Sequence, residues 1–393
     1  MLREKIQQLA DQYSDEFIDI RHHLHAHPEL SYQEHQTSAF VQERLKAWGI
    51  PYQVMAVTGV VGLIEGKNPT RRVIALRGDM DALPITEANQ VAYASTNEGV
   101  MHACGHDVHT TCLLGAAKIL QETRDEWEGT VKLIFQPGEE KNPGGASLMI
   151  KEGALENPKP QGIVGLHVHP VLDTGLLSFR PGMVMASADE IYMTIRGKGG
   201  HAATPQLTTD TILIASHLVV ALQQIISRNR DPFSPSVLSI CSINGGHTTN
   251  VIPSEVKLMG TFRAMDEQWR FKAHELIRQE ATGLVHSMGG ELDLHIDVGY
   301  PVLYNQEAFT KKNKALAAMY LGEARVETTE LRMASEDFAY YTHVIPGCFF
   351  RLGTRNEALG LTSGVHTPTF NIDERAIAIG VGTMAWLGAN AEA

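Results

Sequence analysis

The sequence predicts an α/β protein with a mostly parallel sheet, interrupted by an inserted ferredoxin-like α+β domain. Three observations predict this. Up to Pro181-Gly182, short β-branched runs alternate with helical patterns. That order gives a parallel sheet covered by helices. The middle of the chain reads β-α-β-β-α-β. The end of the chain returns to helix and buried strand, so it must rejoin the first domain. The 393 residues, 43% hydrophobic and 20% charged, supply a core for more than one domain.

The elements follow in order. Ile6, Leu9, Ala10, Tyr13, Phe17 and Ile20 lie at helical spacing, predicting one helix over residues 3–26. A second helix is expected from Ser31 to Trp48, where Gly49 stops it. Val60–Glu65 and Arg72–Leu76 read as strands. Thr111–Leu120 reads as a helix, and Val131–Gln136 and Ile163–His167 as buried strands. In the middle, Glu190–Arg196 alternates as a half-buried strand and Thr209–Arg228 is a long helix. Ser236–Asn244 and Glu255–Arg263 are strands, Gln268–His286 a helix and Glu291–Val298 a strand. Cys348–Leu352 and a terminal helix over Glu374–Leu387 complete the chain. The expected domains are 1–182 with 298–393, and an inserted 183–297. Glu190–Arg196 or Ser236–Asn244 is expected to leave an edge exposed, which a two-fold dimer could cover.

Composition narrows the function. The formal charge of −12, with no basic cluster longer than Arg71-Arg72 and Lys311-Lys312-Asn313-Lys314, makes a nucleic-acid partner unexpected. Four cysteines without a CxxC pair fit a reducing compartment. Met1–Ile6 has no apolar core of the signal-peptide kind, and the longest apolar stretches read as too short or too polar to span a bilayer. A cytoplasmic protein with no membrane partner is expected. Cys112, Cys241 and Cys348 sit among apolar neighbours and are expected to be buried.

Four segments gather polar residues at strand ends: Gly78–Asp81, His102–His109, Gln136–Glu140 and His167–His169. In open α/β sheets, ligands bind at the carboxyl ends of the strands. Carboxylate, thiolate and imidazole together are divalent-metal donors. Cys104 and His106, two apart, face the same way if that segment is extended. A buried, chemically idle Cys104 is the plainer alternative, and a Cys104–histidine dyad a third. The pair Glu139-Glu140 can divide labour, one oxygen set holding metal and the other taking a proton from water. It can equally be a solvated acidic turn. HExxH, GxSxG and P-loop motifs are absent.

RGDMDALP (77–84), HACGHDVHT (102–110), FQPGEE (135–140), GLHVHP (165–170), GKGGHAATP (197–205), SEDFAYY (335–341) and GVHTP (364–368) resemble the M20 metallopeptidase family. The nearest branch is that of the amidohydrolases, which includes hippurate hydrolase, N-acyl-L-amino acid amidohydrolase and auxin-conjugate hydrolases. The resemblance runs in order through the whole chain and implies a di-metal hydrolase domain. It implies Cys104 as the ligand bridging two ions, with His106, Glu140, His167 and His366 as the others. It implies Glu139 as general base and Asp81 as the carboxylate behind a ligand imidazole. His201 matches the histidine that stabilises the oxyanion, which in dimeric relatives can come from the partner subunit. Asn250 and Arg263 match substrate contacts. His109 and His102, beside ligands, are expected to support them or line the pocket, and His109 is grouped with the substrate contacts. Many family peptidases have His at the place of Asp79, Asp at that of Cys104 and a carboxylate at that of His167, so the metal stays open among manganese, zinc, nickel and cobalt.

The expected enzyme is a homodimeric or larger metallo-amidohydrolase that cleaves N-acyl amino acids. A dipeptidase or aminopeptidase, an N-acetyl-diaminopimelate deacetylase, and an inactive scaffold of the same fold are the alternatives. The full set of ligand candidates with Glu139 weighs against the last.

Overall fold

The computed structural model describes residues 1–393 and divides into two compact units. The first comprises Met1–Val184, Tyr304–Glu330 and Asp337–Ala393; the second comprises Met185–Leu303 and Leu331–Glu336.

The chain opens with helices α1 (Leu2–Gln12), α2 (Ser14–Ala26) and α3 (His35–Ala47). Strands β1 (Tyr52–Met55), β2 (Gly59–Glu65) and β3 (Val73–Asp79) lead to α4 (His106–Glu122) and β4 (Thr130–Gln136). Helix α5 (Gly145–Lys151) precedes β5 (Gly162–Asp173) and β6 (Leu177–Phe179). The second unit holds β7 (Asp189–Arg196), β8 (Gly200–His201), α6 (Thr211–Gln224), β9 (Ser236–Asn244), β10 (Val251–Ile252), β11 (Glu255–Ala264), α7 (Glu267–Ser287) and β12 (Glu291–Val298). Helix α8 (Glu307–Leu321), strands β13 (Val326–Thr328) and β14 (Gly347–Arg355), and helix α9 (Arg375–Asn390) return to the first unit.

The first unit is built on an eight-stranded sheet in the order β1-β2-β4-β3-β5-β14-β6-β13. Its centre is parallel: β3 pairs with β4 and β5, and β5 with β14. Every residue of β3 and β4 is buried, as a strand covered on both faces requires. Helices α4 and α9 contribute Val108, Leu113, Ile119, Ile377, Val381 and Met384 to the core against the sheet. Arg72, just before β3, donates to the carbonyls of Gly388 and Ala391 at 2.9 and 3.1 Å, and so caps the carboxyl end of α9.

The second unit's sheet runs β9-β11-β7-β12, all antiparallel. With α6 and α7 this is the ferredoxin-like arrangement. Ile191, Met193 and Ile195 of β7 alternate inward onto Ile214, Leu218, Ile277 and Ala281 of the helices. Beside it, β8 and β10 form a two-stranded ribbon.

Several expectations are corrected. The first helix breaks at Tyr13, although the apolar spacing continues through it. The second begins at His35, leaving Ser31–Glu34 as a turn. His106 opens α4, so Cys104 and His106 do not share an extended segment. Strand β7 is interior, paired with β11 and β12, whereas β9 lies at an edge; alternation marks a half-covered face and carries no sign of edge position. Cys241, on β9, is exposed. Thr211–Asn229 is long and apolar enough, by length and composition, to cross a membrane. In the fold its Ile214, Ala215, Leu218, Leu222 and Ile225 lie in the second unit's core.

Candidate active site

Parallel strands ending side by side bring the polar segments together. Strand β3 ends at Asp79 and delivers Asp81 two residues later; both are buried. Strand β4 gives way to Pro137-Gly138-Glu139-Glu140, and His167 sits within β5. Gly105 takes φ +83 as the N-cap of α4. A Cβ there would stand 2.5 Å from Cγ2 of Val168, so only glycine lets this turn approach β5 so closely. His366, after β14, also has positive φ, and its N–H donates to the Ala103 carbonyl at 2.7 Å.

Among the donor groups whose atoms lie within 4.8 Å of one another, two contain Cys104: Cys104, His106 and His167, and Cys104, Glu140 and His366. They share the Cys104 sulfur. Sγ lies 3.5 Å from His167 Nε2 and 3.3 Å from His366 Nε2. Glu140 Oε1 lies 3.2 Å from His366 Nε2 and 3.9 Å from His106 Nε2. Four donors held at tetrahedral bond lengths around one ion stand roughly 3.3–3.7 Å apart. His106 Nε2 and Glu140 Oε1 are buried and make no hydrogen bond. Such orphans are costly unless something else satisfies them. A cation satisfies both, so the residues fit a divalent-metal site.

Electrostatics agree with that fit. Burial, reinforced by Glu140, Glu139 and Asp79, pushes the Cys104 thiol well up, so a thiolate needs added positive charge. Burial holds His167 well below the usual histidine range and therefore neutral. Its Nδ1 hydrogen-bonds the Val168 carbonyl at 2.7 Å, which leaves the lone pair on Nε2 toward Cys104. Burial opposes charge on His106, but Asp79, Asp81 and Glu140 outweigh it and raise its pKa to about 10. The pocket around its Nε2 thus favours a positive charge.

The ligand candidates stand on a buried polar frame. Asp81 accepts from His106 Nδ1 at 3.1 Å, from the Ser31 hydroxyl at 2.6 Å and from the Glu140 N–H at 2.9 Å. Asp79 pairs with His109 Nδ1 at 2.6 Å, and the other ring nitrogen, Nε2, accepts the Val168 N–H at 2.9 Å. Both nitrogens of His109 are therefore engaged and the ring is buried. The ring ties β3 to β5 beside His167. His102 is also buried, and neither of its nitrogens has a partner. Arg77 and Asp337 belong to the frame and were missed. Arg77 ion-pairs with Asp79 and, at 2.9 Å, with Asp337. Asp337 also accepts from Gln136 at 2.8 Å and from the Ala146 N–H at 3.0 Å. An arginine at the end of an apolar strand was the available signal, since a buried guanidinium must be paired.

His201, Asn250 and Arg263 lie in the second unit. His201 is exposed on β8, and its Nδ1 accepts the Ala203 N–H at 3.0 Å. A neutral ring then carries its proton on Nε2. Asn250 is exposed, and its carbonyl accepts from Ala202 N–H at 3.0 Å. Arg263, on β11, donates from Nη1 to the Ser335 hydroxyl at 3.0 Å.

The family model described as peptidase family M20/M25/M40 matches residues 75–387. The chain is 39% identical over 386 residues to IAA-amino acid hydrolase ILR1-like 5 of Arabidopsis thaliana, covering 96% of this chain and 87% of that one. It is 40% identical over 308 residues to N-acyl-L-amino acid amidohydrolase of Geobacillus stearothermophilus, covering 78% and 82%. The crystal structure of Bacillus subtilis YXEP protein, described as a dinuclear metal binding peptidase from the M20 family, aligns with a TM-score of 0.83 at 32% identity, covering 96% of this chain and 98% of that one.

Proposed function

This chain belongs to peptidase family M20/M25/M40 and is a metallo-amidohydrolase, and from that footing we propose that it cleaves the amide bond of N-acyl amino acids. The observation that carries the reading is the pair of donor sets sharing Cys104, with buried Glu139 against them. A carboxylate oxygen of Glu139 lies within 4.8 Å of donor atoms of His106 and Glu140. The named activity of the Geobacillus relative supports the substrate class.

Cys104, His106, Glu140, His167 and His366 would hold two divalent ions. Manganese, zinc, nickel and cobalt all suit this mixture of sulfur, imidazole and carboxylate. When bound, such ions lower the pKa of water and polarise a carbonyl. Glu139 takes the proton from the attacking water and passes it to the leaving nitrogen. Asp81 engages His106 Nδ1, which leaves Nε2 as the nitrogen that would face the metal. His201, with its proton on Nε2, donates to the carbonyl oxygen as that atom gains charge. Arg263 binds the substrate carboxylate through the edge not used by Ser335, and Asn250 assists. Self-association belongs to the second unit, where β9 is a sheet edge.

The test is a substrate panel on metal-reconstituted protein: hippurate, N-acetyl and longer N-acyl amino acids, acetyl-diaminopimelate and unblocked dipeptides. Blocked monocarboxylic amino acids should be turned over best. Preference for unblocked dipeptides or for acetyl-diaminopimelate would refute the substrate class. Glu139→Gln should lower kcat about 10²–10⁴-fold with both ions retained. Near-native turnover in that variant would exclude the base.

A further inference from the structure

Three of the four residues Ser31–Glu34, which lead into α3, reach a different part of the site. The Ser31 hydroxyl donates to Asp81 at 2.6 Å. The Tyr32 hydroxyl donates to the Lys141 carbonyl at 2.6 Å and accepts the Gly144 N–H at 3.0 Å. Glu34 accepts the Gly138 N–H at 2.8 Å, the Tyr32 N–H at 2.9 Å and the Thr58 hydroxyl at 2.7 Å. The segment precedes the family-matched residues 75–387, and none of its side chains belongs to a donor set.

Two further observations show that this contact is built. Tyr32 has φ +66, a conformation that a bulky residue keeps only where its surroundings enforce it. Its ring lies flush on Gly138, where an added Cβ would stand 2.3 Å from Tyr32 Cε1. Gly138 itself has φ +59, so both sides of the contact depend on this approach. Glu34 is a fully buried carboxylate whose oxygens are all committed to N–H and O–H donors. Burying such a charge is unfavourable unless its hydrogen bonds are made.

We propose that Ser31–Glu34 is a clamp on the loop from Gly138 to Gly144, with Tyr32 and Glu34 as positioning residues that fix where the Glu139 carboxylate stands. The inference rests on the assignment of Glu139 as base. The loop leaves β4 through Pro137 and reaches α5 only after Gly144. The clamp grips the loop on both sides of Glu139, Gly138 through Glu34 and Lys141 with Gly144 through Tyr32, and adds to the hold that Asp81 has on the Glu140 N–H. A base displaced by a fraction of an ångström loses the aligned approach that proton transfer needs.

Tyr32→Phe keeps the ring on Gly138 and deletes only the hydroxyl. Glu34→Leu keeps roughly the volume and removes both acceptor oxygens, so the Gly138 N–H loses its partner. Full-length protein reconstituted with Mn²⁺ is assayed with the best N-acyl amino acid of the panel, and amide hydrogen exchange is followed over residues 138–144. Each variant should exchange these amides roughly tenfold faster, the signature of a loosened local segment. Turnover should fall about 10- to 100-fold, with KM and metal content near native. A drop in melting temperature with native kcat and native exchange is the mark of a structural role and overturns the clamp. So does native kcat in both variants when Glu139→Gln is inactive. If Glu139→Gln stays active, the base assignment fails instead, and the exchange measurement, which needs no turnover, still decides whether the loop is clamped. Should Glu34→Leu not fold, Tyr32→Phe alone gives the same two outcomes.

Discussion

Replacing Asp81 by asparagine keeps its shape and removes one acceptor. The carboxylate serves three donors: His106 Nδ1, the Ser31 hydroxyl and the Glu140 N–H, at 3.1, 2.6 and 2.9 Å. An amide has one oxygen and one NH₂ for the same places. If the oxygen stays opposite His106, the NH₂ meets the Glu140 N–H. Ser31 can rotate to accept, but the Glu140 N–H cannot, and a buried donor left alone costs about 1–3 kcal/mol. If the amide flips, its NH₂ meets His106 Nδ1 and forces the ring proton onto Nε2, the atom assigned to metal. Losing the group behind a ligand imidazole typically costs about 10–100-fold in metal affinity. That corresponds to about 1.4–2.7 kcal/mol, so both outcomes are of one size. Competition against a chromogenic chelator measures the ion dissociation constants, and melts of the metal-free protein measure the orphaned donor. Weaker binding by about 10–100-fold is expected, with Ser31→Ala milder because it leaves His106 its acceptor. Native affinity for both ions in Asp81→Asn would refute the claim that this carboxylate sets the state of His106.

Cys104→Ala should bind fewer than two ions per chain by elemental analysis and lose activity; two ions with full activity would remove the shared sulfur. His201→Ala should lower kcat by about 10²–10³-fold, as loss of an oxyanion donor does, without changing metal content, and an unchanged kcat excludes that role. Burial lowers the His102 pKa to about 4, so the folded protein keeps this ring neutral where the unfolded chain would protonate it. Its contribution is therefore complete above about pH 6.5 and lost as pH falls toward 4, by about 3 kcal/mol in total. Urea unfolding of metal-free protein across that window should show the slope, His102→Leu should flatten it, and an unaltered slope in the variant would refute the assignment. Gly105→Ala meets both the φ of +83 and the Val168 contact, so it should destabilise the protein by about 1–3 kcal/mol and weaken metal binding; a native melt would contradict both.

Donor chemistry was readable in the sequence because each donor segment is local: a buried strand followed at once by carboxylates, imidazoles or a thiol. Strands β3, β4 and β5 were readable for the same reason, being continuous apolar runs that only a covered parallel sheet accommodates. What holds the donors in place is non-local. His109 takes its role from the Val168 amide, 59 positions away, and Arg77 from Asp337, 260 positions away. No window of sequence contains both partners. Local patterns also misdirected. The spacing through Tyr13 continues although the helix stops there, and the histidines of α4 hide a helical start that Gly105 sets through its positive φ. The case of Glu34 goes furthest. It stands at the N-cap of α3, where an acidic residue would be read as a helix-capping group. It makes no side-chain cap, because Gly138, Tyr32 and Thr58 take its oxygens instead. A residue that a capping rule would explain away thus holds the amide just before Glu139, and only the tertiary fold separates the two readings.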